Sequence, residues 1–162
     1  MVSRYLLDTN VLLRWILPRD PLSPAARSAV RHLVRGGNTL QVCSQNLIEF
    51  WSVATRPVSA NGIVLTPERT AHLVDRIERL LQVLEDTPAI YREWRRLVQQ
   101  CAVVGRQVHD ARIAACMLAH GVTQILTFNP DDFRRYPGIV PVSPHDVSAP
   151  APGTPPQPPP RP

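Results

Sequence analysis

The sequence predicts an α/β fold in which helices flank a parallel sheet. Short apolar runs of strand length alternate along the chain with amphipathic stretches of helical period. Helix-entry pairs, Ser23-Pro24, Thr66-Pro67 and Thr87-Pro88, punctuate that alternation. Acids also stand just beyond the predicted strand ends, the edge at which an open parallel sheet places its ligands. With 162 residues the chain is long enough for one domain with a real core and too short for two comfortable ones.

Each element has its own justification. Val2 to Leu7 reads as a buried strand, followed by a short helix from Asn10 to Leu17 that Pro18 stops. Ser23-Pro24 opens a helix that runs to Arg35 and closes at Gly36-Gly37. Thr39 to Cys43 forms the second strand, and Ser44 is placed to cap the helix QNLIEFWSVAT. In that helix Leu47, Ile48, Trp51 and Ala54 follow an apolar stripe, with Glu49 beside it. RPVSANGIVL has loop composition with a turn at Asn61-Gly62, and Thr66-Pro67 starts a helix to about Leu81. Val83 to Glu85 is a short third strand, and Thr87-Pro88 opens the helix AIYREWRRLVQQC, whose Arg92, Arg95 and Arg96 face reads as solvated. After a loop at Gly105, Asp110 begins the helix ARIAACMLAH, which ends at Gly121. Thr123 to Phe128 and Ile139 to Val142 complete the strands. From Ser143 onward prolines crowd a segment with few large apolar residues, which predicts a disordered or polyproline II tail.

Composition narrows the function classes. The three cysteines, 43, 101 and 116, show no CxxC spacing, which argues against a disulfide framework or a zinc knuckle and for a reducing setting. No run approaches the roughly 18 apolar residues of a membrane span, so a soluble, cytoplasmic protein is expected. Net charge is +5, which suits a polyanionic partner but is common in soluble proteins generally. All 18 basic residues are arginine, so mechanisms that need a lysine are excluded, among them the P-loop and the phospho-receiver domain. A haloacid-dehalogenase-type phosphatase needs a second aspartate two residues after the first, where this chain has Asn10.

The acids converge on one edge of the predicted sheet. Asp8 follows the first strand, Glu49 lies on the helix after the second, Asp110 opens the helix before the fourth, and Asn129, Asp131 and Asp132 follow the fourth. Two carboxylates 4 Å apart repel by about 4 kcal/mol at an effective dielectric near 20, so a cluster of them needs protons or a cation. Oxygen ligands without thiolate or imidazole favour Mg²⁺ or Mn²⁺ over zinc. Taken singly, Asp110 or Asp132 reads equally well as a helix cap, whereas Glu49 in mid-helix does not. His109 adjoins Asp110, but neighbours on a helix diverge, so it should point away from a metal that Asp110 faces. Arg112 on the same first turn is placed to meet a phosphate or to form a salt bridge.

Four segments, LLDTNVLL, QNLIEFWSVATRP, VHDARIAACMLAHGV and ILTFNPDDFRRYPGI, resemble in order the motifs of PIN-domain ribonucleases, most closely the VapC-type toxins of bacterial toxin–antitoxin pairs. The likeness covers about residues 2–146. It implies a three-layer α/β/α sandwich around a five-stranded parallel sheet ordered 3-2-1-4-5, with residues 1–146 as the nuclease domain and 147–162 as the tail. It further implies RNA cleavage with Mg²⁺ or Mn²⁺ to 5′-phosphate and 3′-hydroxyl products. Asp8, Glu49 and Asp110 match the family's three principal acids, and the fourth position is shared between Asp132, as an outer ligand, and Asn129, as a residue positioning water. Thr9 and Thr127 match hydroxyls that hold carboxylates, and Asn10 a cap fixing the turn after Asp8. Arg112, Arg134 and Arg135 are candidates for the RNA backbone. A cognate antitoxin and a homodimer follow from the same resemblance. A PIN-like module that binds RNA or a partner without cutting is the alternative.

Overall fold

The computed structural model describes residues 2–148; the expected proline-rich tail from 149 onward lies outside the described residues. The chain runs through strand β1 (Arg4–Leu7), helices α1 (Thr9–Ile16) and α2 (Ser23–Arg35), strand β2 (Thr39–Cys43) and helix α3 (Ser44–Thr55). A 3₁₀ turn at Val58–Ala60 leads to α4 (Pro67–Leu80), β3 (Gln82–Leu84), α5 (Pro88–Gln100) and α6 (Gln107–Ala119). Strand β4 (Gln124–Leu126), a second 3₁₀ turn (Pro130–Asp132), β5 (Val140–Val142) and a short helix α7 (Pro144–Ser148) complete the described chain.

All five strands are parallel, in the order β3-β2-β1-β4-β5, as expected. β1 is therefore central, and the strand order reverses beside it. Successive strand residues face opposite sides, so Leu6 enters a core with Ile113, Met117 and Ile125, while Leu7 enters another with Val11, Leu12, Phe50 and Ile77. Both leucines are fully buried. Helices cover both faces, which gives the three-layer sandwich and explains why β1 is apolar without alternation. Truncating either leucine to alanine costs about 3 kcal/mol by the usual cavity penalty.

Several boundaries differ from the sequence reading. β1 begins at Arg4, because Val2 is mostly exposed and has no strand to pair with. Asp8 rather than Asn10 is the cap of α1, its side chain accepting from the Thr9 backbone N–H. Cys43 rather than Ser44 caps α3: the Asn46 carboxamide accepts from the Cys43 N–H at 3.0 Å and from its thiol at 3.1 Å. α6 starts at Gln107, three residues before Asp110, so Asp110 lies inside the first turn and is not its cap. β3 sits one residue earlier than expected, and β4 ends at Leu126. The composition change at Ser143 does not end the fold, since α7 follows it and Val147 packs on the α1–α4 core.

Candidate active site

The carboxyl ends of β1 and β4 meet at the reversal of strand order, where the Asp8 N–H bonds the Leu126 carbonyl at 3.0 Å. Asp8 is only 7 % exposed, and three donors hold its carboxylate. The Thr9 N–H donates to Oδ1 at 2.7 Å; the Thr127 hydroxyl and the Asn10 Nδ2 donate to Oδ2 at 2.7 and 2.8 Å. Asn10 also donates to Thr127 Oγ1 at 3.2 Å, and its Oδ1 accepts from the Phe128 N–H at 3.1 Å. It is thus a staple between the ends of β1 and β4. Thr127 Oγ1 in turn accepts from the Asn129 N–H at 3.0 Å.

Glu49 joins this network from α3. The Thr9 hydroxyl donates to its Oε2 at 2.9 Å, and Gln45 Nε2 donates to Oε1 at 2.9 Å. Buried Asn46 reaches Thr9 Oγ1 at 3.4 Å, a weak contact that completes the link from α3 to α1. Asp110 faces the same cleft from α6 and is half-buried, and its carboxylate accepts no hydrogen bond among the described residues.

The electrostatics follow from that packing. Burial pushes the Asp8 carboxyl up to about 7 against the pull of its Thr127 and Thr9 hydrogen bonds, and the charges of Asp110 and Glu49 raise it further. Asp110 is raised to about 6, first by burial and then by Asp132 and Glu49, with His109 and Arg135 opposing. The charges of Glu49 and Asp110 thus bear on Asp8, and those of Glu49 and Asp132 on Asp110. Such a set of hard oxygens suits a divalent cation in donor type and in charge. Among the described residues no three such groups are drawn close enough to coordinate one ion as they stand. Both oxygens of Asp8 and both of Glu49 accept hydrogen bonds, and each keeps a further lone pair.

The remaining candidates divide. Asn129 and Asp132 are exposed beyond β4. Asn129 contributes only its backbone N–H to the network. Arg135 donates to Gln107 Oε1 at 2.6 Å, near Asp110, whereas Arg134 pairs with Asp131. Arg112 lies elsewhere, in an ion pair with Asp86 at 3.2 Å, so the salt-bridge alternative holds for it. Two residues along a helix turn by about 200°, which carries Arg112 off the Asp110 side. His109 is exposed, its Nδ1 at 3.4 Å from Gln45 Nε2.

The cleft, of about 460 Å³, is lined by Thr9, Glu49 and Asp110 together with Gln45, Ser52, Arg56, Arg106 and Gln107, which the motifs did not single out. Helical spacing held the signal for most of them. Gln45, Glu49, Ser52 and Arg56 succeed one another by four, three and four residues, one stripe of α3 carried through its C-cap.

Compared with known families, residues 5–139 match the model of the PIN domain. No sequence among the curated proteins matches the chain. Of solved structures, VapBC2 from Rickettsia felis, bound to a DNA fragment from its promoter, aligns with a TM-score of 0.64 at 19% identity, over 87% of this chain and 98% of that one. A toxin–antitoxin complex from Klebsiella pneumoniae aligns with a TM-score of 0.55 at 20% identity, over 84% and 95%. VapC20 from Mycobacterium tuberculosis, a toxin that cleaves the sarcin–ricin loop, gives 0.51 at 16% identity, over 75% and 86%. At these identities the likeness concerns the fold.

Proposed function

The chain belongs to the PIN-domain family, and from that membership we propose that it is a divalent-metal-dependent endoribonuclease, the toxin of a toxin–antitoxin pair. The observation that carries this reading is the set of Asp8, Glu49 and Asp110, three acids brought from three elements to the reversal of strand order, where burial and the neighbouring carboxylates raise Asp8 and Asp110. Asp8, Glu49 and Asp110 would hold Mg²⁺ or Mn²⁺, with Asp132 or Asn129 serving the fourth position. When bound, the ion supplies charge neutralisation at the phosphodiester and an activated water.

The chain's own residues do the rest. Thr9, Asn10 and Thr127 fix Asp8 so that its carboxylate is aimed before substrate arrives, which avoids reorganisation during the reaction. Gln45 and Thr9 hold Glu49 in the same way. Asp110, with no such restraint among the described residues, would complete the set from α6. Of the three arginines expected at the RNA backbone, Arg135 is the one whose charge bears on Asp110. The solved toxin structures support an RNA substrate and an antitoxin partner for this chain as well. The reading further includes a homodimer, a cytoplasmic setting and a nuclease domain that extends through α7, past the expected end at residue 146. No described helix is long and apolar enough to cross a membrane.

A second reading, an RNA- or partner-binding module without cleavage, draws on the absence of a ready three-ligand arrangement among the described residues. Mapping new 5′ ends in cellular RNA after brief expression decides between them. The nuclease reading expects discrete new ends with the wild type and none with Asp8→Asn; identical end profiles sink it.

A further inference from the structure

Two arginines that the sequence reading did not single out line the cleft that holds the acids. Arg56 stands at the C-cap of α3 and Arg106 at the N-cap of α6, on the cleft shared by Glu49 and Asp110. Neither is in an ion pair with a described residue. The Arg56 Nε is buried without a hydrogen-bond partner, and its Nη2 reaches only the Asn61 carbonyl, at 3.4 Å. The Arg106 side chain makes no capping hydrogen bond.

The loop after α3 is shaped around Arg56. It folds back onto the helix end, with Ile63 N–H on the Val53 carbonyl, Val64 N–H on the Arg56 carbonyl and Leu65 N–H on the Ala54 carbonyl, at 3.1, 3.2 and 2.8 Å. To do so Asn61 and Val64 take φ of 56° and 61°, a region that a β-branched valine rarely adopts. Gly62 lies so close that a Cβ there would stand 1.8 Å from the Arg56 carbonyl oxygen and 2.4 Å from its Cγ. A backbone held in uncommon conformations against one side chain marks a position whose geometry matters.

We propose that Arg56 and Arg106 form a phosphate clamp on the rim of the acidic cleft, gripping the RNA backbone next to the bond to be cut. The identity of the polyanion rests on the nuclease reading. A phosphodiester approaching three carboxylates meets repulsion, and two guanidinium groups on the same cleft offset it. The planar fork of arginine pairs two donors with two phosphate oxygens, and no carboxylate among the described residues competes for the guanidinium of Arg56 or Arg106. Preorganisation by the loop lowers the ordering cost of that contact.

The test is equilibrium binding of a short fluorescein-labelled single-stranded RNA to the full chain in EDTA, followed by anisotropy over a range of NaCl concentrations. Each phosphate contact on a single strand contributes about 0.7 to the slope of log K against log salt. Arg56→Gln and Arg106→Gln should each lower the slope by about that amount, and the double variant by about twice as much. Arg79→Gln, on the exposed side of α4, serves as the charge-matched comparator and should leave the slope unchanged. Arg56→Lys keeps the charge and should keep the slope while weakening binding several-fold, which separates loss of the fork from loss of folding. Slopes of both Gln variants equal to wild type, an equal loss in Arg79→Gln, or no RNA binding by the wild type overturns the clamp. Binding with the expected slopes but no cleavage on adding Mn²⁺ sinks the nuclease reading and leaves the clamp standing. Cleavage with unaltered slopes does the reverse.

Discussion

Asp8→Asn should stabilise the metal-free protein at high pH while removing its activity. The Asp8 carboxyl ionises at about 7 in the fold against 3.8 when exposed. A raised carboxyl contributes no penalty while both states are protonated; stability is lost as pH rises from the unfolded value through the folded one, and the loss is complete above it. At 1.36 kcal/mol per unit, a shift of roughly three units amounts to about 4 kcal/mol of instability above pH 7. Asparagine removes that penalty but turns an amide toward Asn10 Nδ2, which loses its 2.8 Å acceptor and keeps only Thr127. One hydrogen bond to a charged group is worth about 1.5–3 kcal/mol, so the net gain is about 1–2 kcal/mol at pH 8 and vanishes near pH 5. Urea unfolding in EDTA at the two pH values, with wild type and Asp8→Asn side by side, measures this difference. A variant less stable than wild type by the same amount at both pH values would refute the electrostatic account of the site. Adding Mn²⁺ at pH 8 should stabilise the wild type and leave the variant unmoved.

Thr127→Val should destabilise the protein by about 1–3 kcal/mol, because it strips a 2.7 Å donor from buried Asp8 and an acceptor from the Asn129 N–H. Thermal melts should show that loss growing with pH as Asp8 ionises, and a pH-independent loss would point to packing alone. A chain ending at Ser148 should melt as the full chain does and cleave RNA equally well, whereas one ending at Ser143 should melt lower, because Val147 of α7 packs on the α1–α4 core. Equal melting of the two truncations would remove α7 from the folded unit.

Much of this fold is written in local signals, and its misreadings have physical causes. The parallel sheet was legible because β1 is apolar on both faces and strands alternate with helices, whereas the strand order followed from the resemblance to PIN-domain ribonucleases. Asp8 stood out as a carboxylate at a strand end but not as a cap, since the apolar residues around it mask the entry of α1. The start of α6 was hidden because its N-cap, Arg106, uses no side-chain capping bond, which left Asp110 as the conspicuous signal. Cys43 and Asn46 form a capping pair outside the usual Ser/Thr and Glu pattern, so Ser44 drew the assignment. Proximity in sequence favoured Arg112 over Arg56. Helical geometry sends the first away from Asp110 and brings the second, two turns beyond Glu49, into the cleft. The fourth acidic position stayed divided because Asn129 and Asp132 sit on an exposed turn that tertiary packing does not constrain.

Cleavage of a labelled single-stranded RNA by the purified chain in Mn²⁺, with Asp110→Asn as its partner, tests the central claim most directly. Asp110 is the acid without a hydrogen-bond restraint, so its removal should leave the fold intact. The account predicts products with the wild type that EDTA abolishes, and a loss of at least two orders of magnitude in Asp110→Asn. Cleavage that persists in EDTA, or an Asp110→Asn variant as active as wild type, contradicts it.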